Sequence, residues 1–103
     1  MTITFSENAW EDYVSWLNED KKMLKKINDL IKDIQRHPFD GIGKPEPLRF
    51  DLKGFWSRRI DREHRLVYQI IDNDLLIYSC RYHYVSWHFK KRQRHKFINN
   101  YEL

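Results

Sequence analysis

The residues best suited to chemistry lie in the second half of the chain. They combine one carboxylate, one imidazole and several guanidinium groups, namely Glu46, His83, Arg59, Arg65 and Arg81. Cleavage of RNA without a metal needs a base for the ribose 2′-OH, an acid for the departing 5′-oxygen and fixed cations for the charge on the phosphate. Histidine is a suitable acid near neutral pH, and arginine binds phosphate through two parallel hydrogen bonds. RNA cleavage is therefore one chemistry that this set of side chains supports.

The same residues also have plainer structural interpretations. Glu46 lies between two prolines and is, on its own, more often a solvated loop charge, and a histidine near a strand end, such as His83, is more often structural. Arg65 can cover a sheet edge with its aliphatic stem. Three classes therefore stay open: a ribonuclease, a protein that binds RNA and blocks translation without cutting, and a protein that only forms an inhibited complex. Convergence of Glu46, Arg65 and His83 on one concavity favours the first class.

Other chemistries lack their residues in this sequence. It contains no Cys and His cluster with zinc spacing, no glycine-rich phosphate loop, no Ser-His-Asp pattern and no dense set of carboxylates for Mg²⁺. We therefore expect no metal and no cofactor. The single cysteine, Cys80, is expected to be a small core residue.

The charge of the chain is concentrated at its C-terminal end. The 103 residues have a net charge of +4, but residues 1–84 contain 14 Lys and Arg against 14 Asp and Glu, so the excess lies in residues 85–103. We therefore expect one domain over 1–84 and a basic extension over 85–103, either flexible or helical. A basic excess is compatible with a nucleic-acid partner, with ordinary surface charge as the alternative.

The sequence lacks recognisable targeting signals. No apolar run approaches the about 20 residues that span a bilayer. The first residues have neither the basic nor the apolar region of a secretory signal. Together with the single cysteine, these features favour a cytoplasmic location and no membrane partner.

The spacing of apolar residues predicts two helices between strands. Thr2–Phe5 alternates as a short strand does, and apolar residues then recur at helical spacing over 10–17 and 23–34, which predicts a helical hairpin. The stretch 38–48 holds all three prolines and is expected to be a stiff loop. After it the period changes to two, which predicts three strands over 55–60, 65–71 and 75–84 in an antiparallel meander. The predicted fold is therefore α+β, in the order β-α-α-β-β-β, with the helical hairpin packed on one face of an antiparallel sheet.

The register of the last two strands decides which side chains share a face. We expect a three-residue loop at 72–74, which pairs Ile71 with Leu75. Val67 then pairs with Ser79, and Arg65 with Arg81. One face is mostly apolar and suits the helices, with His64, Leu66, Tyr68, Ile70, Leu76, Tyr78, Cys80 and Tyr82. The other face turns polar toward one end, with Arg65, Val67, Gln69, Ser79, Arg81 and His83.

Six short segments form a distinctive combination. They are Trp10-Glu11-Asp12-Tyr13, Lys25-Lys26-Ile27-Asn28, Gly43-Lys44-Pro45-Glu46-Pro47-Leu48, Gly54-Phe55-Trp56-Ser57-Arg58-Arg59-Ile60, His64-Arg65-Leu66-Val67-Tyr68 and Cys80-Arg81-Tyr82-His83-Tyr84. Any one alone is weak, but together and in this order, over residues 1–84, they resemble the YoeB/Txe toxins of bacterial toxin–antitoxin modules, within the RelE superfamily.

The resemblance implies a ribosome-dependent endoribonuclease that cuts mRNA in the ribosomal A site. The cut would use the 2′-OH as nucleophile, without a metal, and would leave a 2′,3′-cyclic phosphate and a 5′-OH. By motif match, Glu46 would be the general base and His83 the general acid. Arg65 would stabilise the charged phosphate, and Tyr84 would position the substrate by stacking. RNA contacts are implied for Arg59, Lys44 and Arg81.

The resemblance also implies partners and a departure from the family pattern. The expected partners are A-site mRNA, 16S rRNA, a YefM-like antitoxin whose flexible segment folds over the toxin, and a second copy of the chain. The family pattern normally stops close to Tyr84, so the extension over 85–103 is atypical. It is either a basic appendage or a grip on ribosomal RNA phosphates, and we expect it to point away from the site.

Overall fold

A computed structural model describes residues 1–82, so the predictions for His83, Tyr84 and the extension over 85–103 lie outside the described residues. The order of elements confirms the α+β class and the helical hairpin. The elements are β1 (Thr2–Phe5), α1 (Glu7–Glu19), α2 (Lys21–Arg36), β2 (Glu46–Pro47), a 3-10 turn (Phe50–Leu52), β3 (Trp56–Arg59), β4 (Arg65–Ile71) and β5 (Asp74–Ser79).

Both helices begin at a side-chain cap. The Oγ of Ser6 accepts a hydrogen bond from the backbone N–H of Ala9 at 3.0 Å, and the carboxylate of Asp20 accepts two from the first turn of α2. Asp20 also ends α1, because its own N–H donates to the carbonyl of Trp16 at 2.8 Å. A single residue therefore separates the helices. α2 buries the predicted apolar stripe, of which Ile27, Leu30, Ile31 and Ile34 are buried.

The sheet has five strands in the order β1-β5-β4-β3-β2. It is mixed, because β1 pairs in parallel with β5 while the other neighbours are antiparallel, so the expectation of an antiparallel sheet is corrected at this edge. Alternation reveals a strand but not its partner. The other edge is also new, because Glu46 and Pro47 form the short strand β2 on β3 where a loop was expected. Proline is tolerated at such an edge, where no ladder donor is needed.

The hairpin between β4 and β5 closes with a two-residue turn, so the predicted three-residue loop is wrong. Ile71 pairs with Asp74. Asp72 and Asn73 have φ angles of 48° and 62°. Two successive positive φ angles match the twist of the flanking strands, and Asp and Asn adopt them more readily than other residues with side chains.

A β-bulge follows in the same pair of strands. Tyr68 pairs with Ile77 but Val67 pairs with Ser79, so Tyr78 is an extra residue in β5. The bulge offsets the shorter turn, and the predicted pairing of Val67 with Ser79 is confirmed.

The turn and the bulge redistribute the side chains of β5 between the faces. Leu75 and Ile77 pack in the core beneath the helices, so the predicted assignment of Leu76 and Tyr78 to that face is wrong. Cys80 lies beneath the helices as predicted, and burial raises the pKa of its thiol well above the ordinary value. The opposite face has its own apolar cluster of Leu48, Leu52, Val67 and Tyr78, with Phe55 and Leu76 packed against it.

Arg58 of β3 is fully buried and ties α2 to the loop that precedes β2. Its Nη1 donates to Oδ2 of Asp33 at 2.5 Å. A buried guanidinium needs an acceptor for each donor, and this loop supplies carbonyl groups that no helix or strand uses. The other acceptors are the carbonyl oxygens of His37, Asp40 and Ile42 and the hydroxyl of Tyr68.

The carboxylate of Asp33 is fixed by a second hydrogen bond in addition to the one from Arg58. Its Oδ2 also accepts from the backbone N–H of Ile42 at 3.1 Å. Gly41 passes close by with a φ of 111°, and a Cβ there would lie 2.1 Å from Oδ2 of Asp33. The hydrogen bond from Arg58 lowers the pKa of Asp33 below its ordinary value. The ion pair therefore determines the path of the chain as it approaches Glu46.

We expect Asp33→Asn to destabilise the fold by about 3–5 kcal/mol, because it leaves a buried guanidinium without its counter-charge. Asp29→Asn is the matched control on the same helix. It removes an exposed ion pair with Lys25 at 3.1 Å, and the expected cost is at most about 1 kcal/mol. Urea denaturation followed by circular dichroism measures both, and equal losses would contradict a special role for Asp33.

The loss of unfolding free energy in Asp33→Asn should depend on pH. The folded chain holds the pKa of Asp33 below the unfolded value of about 3.9, so its stabilisation is complete above that pH and is lost as the pH falls through the lowered folded pKa. The difference in unfolding free energy between the parent chain and Asp33→Asn should therefore shrink in acid. A difference that stays constant from neutral pH to pH 2 rules this linkage out.

Candidate active site

One row of paired residues crosses the sheet and places Glu46 on the face opposite the helices. Glu46 pairs with Ser57, Ser57 with Val67, and Val67 with Ser79. Directly paired residues point to the same face of a sheet. Val67 belongs to the apolar cluster on that face, and Glu46 lies exposed at the edge of the row.

Arg59 and Arg65 lie on the same face as Glu46. They pair with each other across β3 and β4, two residues beyond the row that contains Ser57 and Val67, and residues two apart along a strand share a face. Ordinary strand spacings put the Cα of Glu46 about 8 Å from that of Arg59 and about 12 Å from that of Arg65. Glu46 and Arg65 therefore share one face of the sheet, and their convergence with His83 on one concavity stays a prediction.

Arg65 is only 8% exposed, and its guanidinium is fixed by the connection between β3 and β4. Its Nη1 donates to the carbonyl oxygens of Asp61 at 2.8 Å, His64 at 3.1 Å and Arg62 at 3.3 Å. The carboxylate of Asp61 in turn accepts from the N–H groups of Glu63 and His64 and holds that turn closed. The positive charge of Arg65 is therefore oriented in advance of any ligand.

Tyr82 is anchored beside Arg65. Its carbonyl accepts from the backbone N–H of Arg65 at 2.9 Å, and its own N–H donates to Nδ1 of His64 at 2.7 Å. Its φ of 71° belongs to the left-handed region, so the chain beyond the end of β5 at Ser79 is not extended here. The predicted strand over 75–84 is thus too long. His83 is the next residue in the sequence, and it lies outside the described residues together with Tyr84.

An open cavity of about 370 Å³ adjoins Glu46. Its buried wall is formed by Leu48 and Leu52, and exposed side chains form its rim. Lys44, the further predicted RNA contact, is exposed two residues before Glu46. The cavity is lined by the continuous segment Glu46, Pro47, Leu48, Arg49, Phe50, Asp51 and Leu52.

Arg81 lies elsewhere, and its predicted placement opposite Arg65 is wrong. Its guanidinium donates to Oγ of Ser15 at 2.6 Å and to Oε2 of Glu19 at 2.7 Å, and it lies 4.3 Å from the ring centroid of Trp16. All three partners belong to α1. Because β5 ends at Ser79, strand alternation does not extend to this position.

Among the described residues there is neither a cluster of metal ligands nor a membrane-spanning helix. Residues 1–82 hold no group of three or more His, Cys, Asp or Glu side chains that could bind a metal ion. Over the same residues, no helix has the length and apolar character needed to cross a membrane.

Arg58 is the residue of the site region that the sequence analysis missed. The available signal was a pair of opposite charges, Asp33 beside the apolar stripe of α2 and Arg58 at an inward position of β3. Arg58 does not face the cavity but determines how β3 meets the segment that contains Glu46.

Known proteins match most of the chain. The family described as "YoeB-like toxin of bacterial type II toxin-antitoxin system" matches residues 5–84. Toxin YoeB of Escherichia coli (strain K12) is 60% identical over 84 residues, which cover 82% of this chain and 100% of that protein. Toxin YoeB of Synechocystis sp. is 64% identical over 84 residues, covering 82% of this chain and 98% of that protein.

Solved structures share the fold. The YoeB/ParE toxin from Agrobacterium tumefaciens has a TM-score of 0.79 at 46% identity and covers 81% of this chain and 99% of its own. A toxin chain in the heterotetrameric YoeB-YefM complex from Staphylococcus aureus has a TM-score of 0.76 at 55% identity, covering 81% and 97%. A YoeB dimer from the same organism gives the same values. With the α+β fold and the family match over residues 5–84, these similarities show that the chain belongs to the YoeB toxin family of type II toxin–antitoxin systems, within the RelE superfamily.

Proposed function

We propose that this toxin is a ribosome-dependent endoribonuclease that cuts mRNA in the A site and thereby inhibits translation. The observation that supports it best is the placement of Glu46 and Arg65 on one sheet face, with an open cavity beside Glu46. A base and a fixed cation on one sheet face are two of the three parts that metal-free RNA cleavage needs. Membership in a toxin family agrees with an activity that stops protein synthesis.

In the proposed reaction, Glu46 accepts the proton of the ribose 2′-OH and the 2′-oxygen attacks phosphorus. The bond from phosphorus to the 5′-oxygen breaks, and His83 donates a proton to that oxygen, which leaves a 2′,3′-cyclic phosphate and a 5′-hydroxyl. Arg65 stabilises the negative charge that develops on the phosphate, and its prior anchoring lowers the reorganisation that this requires. Tyr84 holds a base by stacking.

Two further cations are proposed to contact the RNA backbone. Lys44 and Arg59 are exposed near Glu46, so they can pair with phosphates at little cost in structure. Arg81 remains a predicted RNA contact, but its bonds to Ser15 and Glu19 support a structural role instead.

The proposed macromolecular partners are the A-site mRNA, 16S rRNA, a YefM-like antitoxin and a second copy of the chain, in the cytoplasm. Relatives from Staphylococcus aureus have been solved as a YoeB-YefM complex and as a YoeB dimer. Their 54–55% identity to this chain supports the same two assemblies here.

We expect Glu46→Gln and His83→Ala each to slow cleavage of a defined A-site codon by about 10²–10⁴-fold, because each removes one proton-transfer group. A reconstituted translation assay with primer extension locates the 5′ ends, and reaction of those ends with polynucleotide kinase identifies the 5′-hydroxyl. Glu11→Gln, an exposed carboxylate on α1, is the control and should cut at the parent rate.

Two outcomes of this assay separate the function classes. If the parent chain stalls translation without cutting, it is a non-cleaving inhibitor that binds RNA or the ribosome. If Glu46→Gln cuts as fast as the parent, Glu46 is not the base.

We expect Arg59→Ala and Arg81→Ala to fail in different ways. Arg59 is exposed, so its removal should raise KM while the unfolding free energy changes by at most about 0.5 kcal/mol. Arg81 stacks on Trp16 and pairs with Glu19, so its removal should cost about 1–2 kcal/mol of stability. Denaturation curves and KM values measured on both variants decide this, and a stable Arg81→Ala with raised KM would restore Arg81 as an RNA contact.

A chain that ends at Tyr84 should cut like the full chain, because Toxin YoeB of Escherichia coli (strain K12) is covered along its whole length by the 84 matched residues. The same A-site assay compares the two chains at equal concentration. Faster cleavage by the short chain would identify residues 85–103 as inhibitory. If the full chain loses ribosome affinity with salt more steeply than the short chain does, residues 85–103 contact ribosomal RNA.

A further inference from the structure

Phe50 is the most exposed large apolar side chain among residues 1–82. It is 89% exposed, whereas the next, Trp10, is 54% exposed. Its neighbours two positions away, Leu48 and Leu52, are buried in the apolar cluster opposite the helices. The 3-10 turn begins at Phe50, and it turns the aromatic ring outward while both leucines stay buried.

The backbone at Phe50 is unfavourable for its residue type. Its φ is 59°, in the left-handed region that bulky side chains rarely adopt. The turn is enforced by hydrogen bonds from the N–H of Lys53 to the carbonyl of Phe50 at 3.0 Å and from the N–H of Leu52 to the carbonyl of Arg49 at 3.1 Å. Asparagine or glycine would fit this conformation better. An exposed aromatic ring in such a conformation contributes little to the stability of the fold. Unfavourable backbone of this kind is typical of functional positions.

The surroundings of Phe50 fit an RNA strand. Phe50 and Glu46 line the same cavity, with Arg49 between them in the chain. The segment 44–53 contains Lys44, Arg49 and Lys53 against Glu46 and Asp51, so cations are available for phosphates on either side of the ring. Every nucleobase offers a flat π-face to an aromatic ring, and single-stranded RNA is bound by this combination of stacking and cations.

We propose that Phe50 is a stacking platform for a nucleobase of the mRNA strand on which Glu46 acts, and that Arg49 contacts a phosphate beside it. This subsite rests on the proposed function, since it places the reacting ribose against Glu46. It adds a contact that the sequence motifs do not contain.

Substitutions at Phe50 test the proposal because stability and binding should change in opposite directions. Phe50→Asn removes the ring and relieves the backbone, so its Tm should equal or exceed that of the parent, while Kd rises about 5- to 100-fold. Phe50→Leu keeps an apolar side chain without a π-face and should also weaken binding. Phe50→Trp keeps the π-face and should bind as tightly as the parent. Ile71→Asn, at another exposed apolar position, is the control and should leave Kd unchanged.

Binding is measured with the full chain and ribosomes programmed with an mRNA that has a 2′-deoxynucleotide at the cleavage position, so that no cut occurs. A 5-bromouridine in the A-site codon then reports the contact directly, because irradiation should attach the mRNA to residue 50 in the parent and not in Phe50→Leu. Unchanged Kd in Phe50→Asn and Phe50→Leu, or adducts confined to other residues, would overturn the proposal and leave a protein partner as the occupant of this position.

The two proposals fail in distinguishable ways. If the parent chain does not cut a cleavable mRNA but binding still depends on Phe50, the proposed cleavage mechanism is wrong and the stacking site is supported. If the parent cuts and Phe50 does not affect Kd, only the stacking site falls.

Discussion

The buried ion pair between Arg58 and Asp33 is the interaction on which the arrangement of the site depends. A guanidinium without solvent must find acceptors, and Arg58 finds them in one carboxylate of α2 and in carbonyl groups of the loop before β2. Successive residues of a strand point to opposite faces, so the burial of Arg58 turns Arg59 outward. The same contact directs the loop so that Glu46 meets Ser57 at the sheet edge.

The irregular pairing of β4 and β5 makes the face opposite the helices partly apolar and partly polar. The bulge moves Tyr78 out of the core beneath the helices. The centroid of its ring lies 4.4 Å from the ring centroid of Phe55. That contact helps to cover Val67 and leaves the polar end of the face, with Arg65, beyond the apolar cluster. A regular hairpin with the same two-residue turn would not pair Val67 with Ser79. The β-bulge therefore allows the apolar cluster and Arg65 to lie on the same face of the sheet.

The sequence predicts the parts of this fold that depend on short-range patterns. Periodicity identifies both helices and every strand except β2, and the motifs point to Glu46, Arg59 and Arg65, which the structure places on one face. The parallel edge pairing, the bulge and the placement of Arg81 on α1 depend on long-range packing that no local pattern encodes. Phe50 is not among the predicted site residues for a related reason: its exposure depends on a 3-10 turn that no predicted element contains.

The described part of the site divides into a rigid half and an exposed half. Arg65 and Tyr82 are fixed by backbone carbonyls and by His64. Glu46 and Phe50 lie exposed on an edge segment that is attached through the two-residue strand β2, backbone hydrogen bonds with Phe55 and the buried side chains of two leucines. In the proposed reaction this division is useful, since the charge that stabilises the phosphate must be oriented beforehand. A base that begins in water can lose its hydration as RNA covers the cavity, and a stacked nucleobase on Phe50 would close the solvent side of that cavity. Substrate binding would then complete the environment that the free protein leaves open around Glu46.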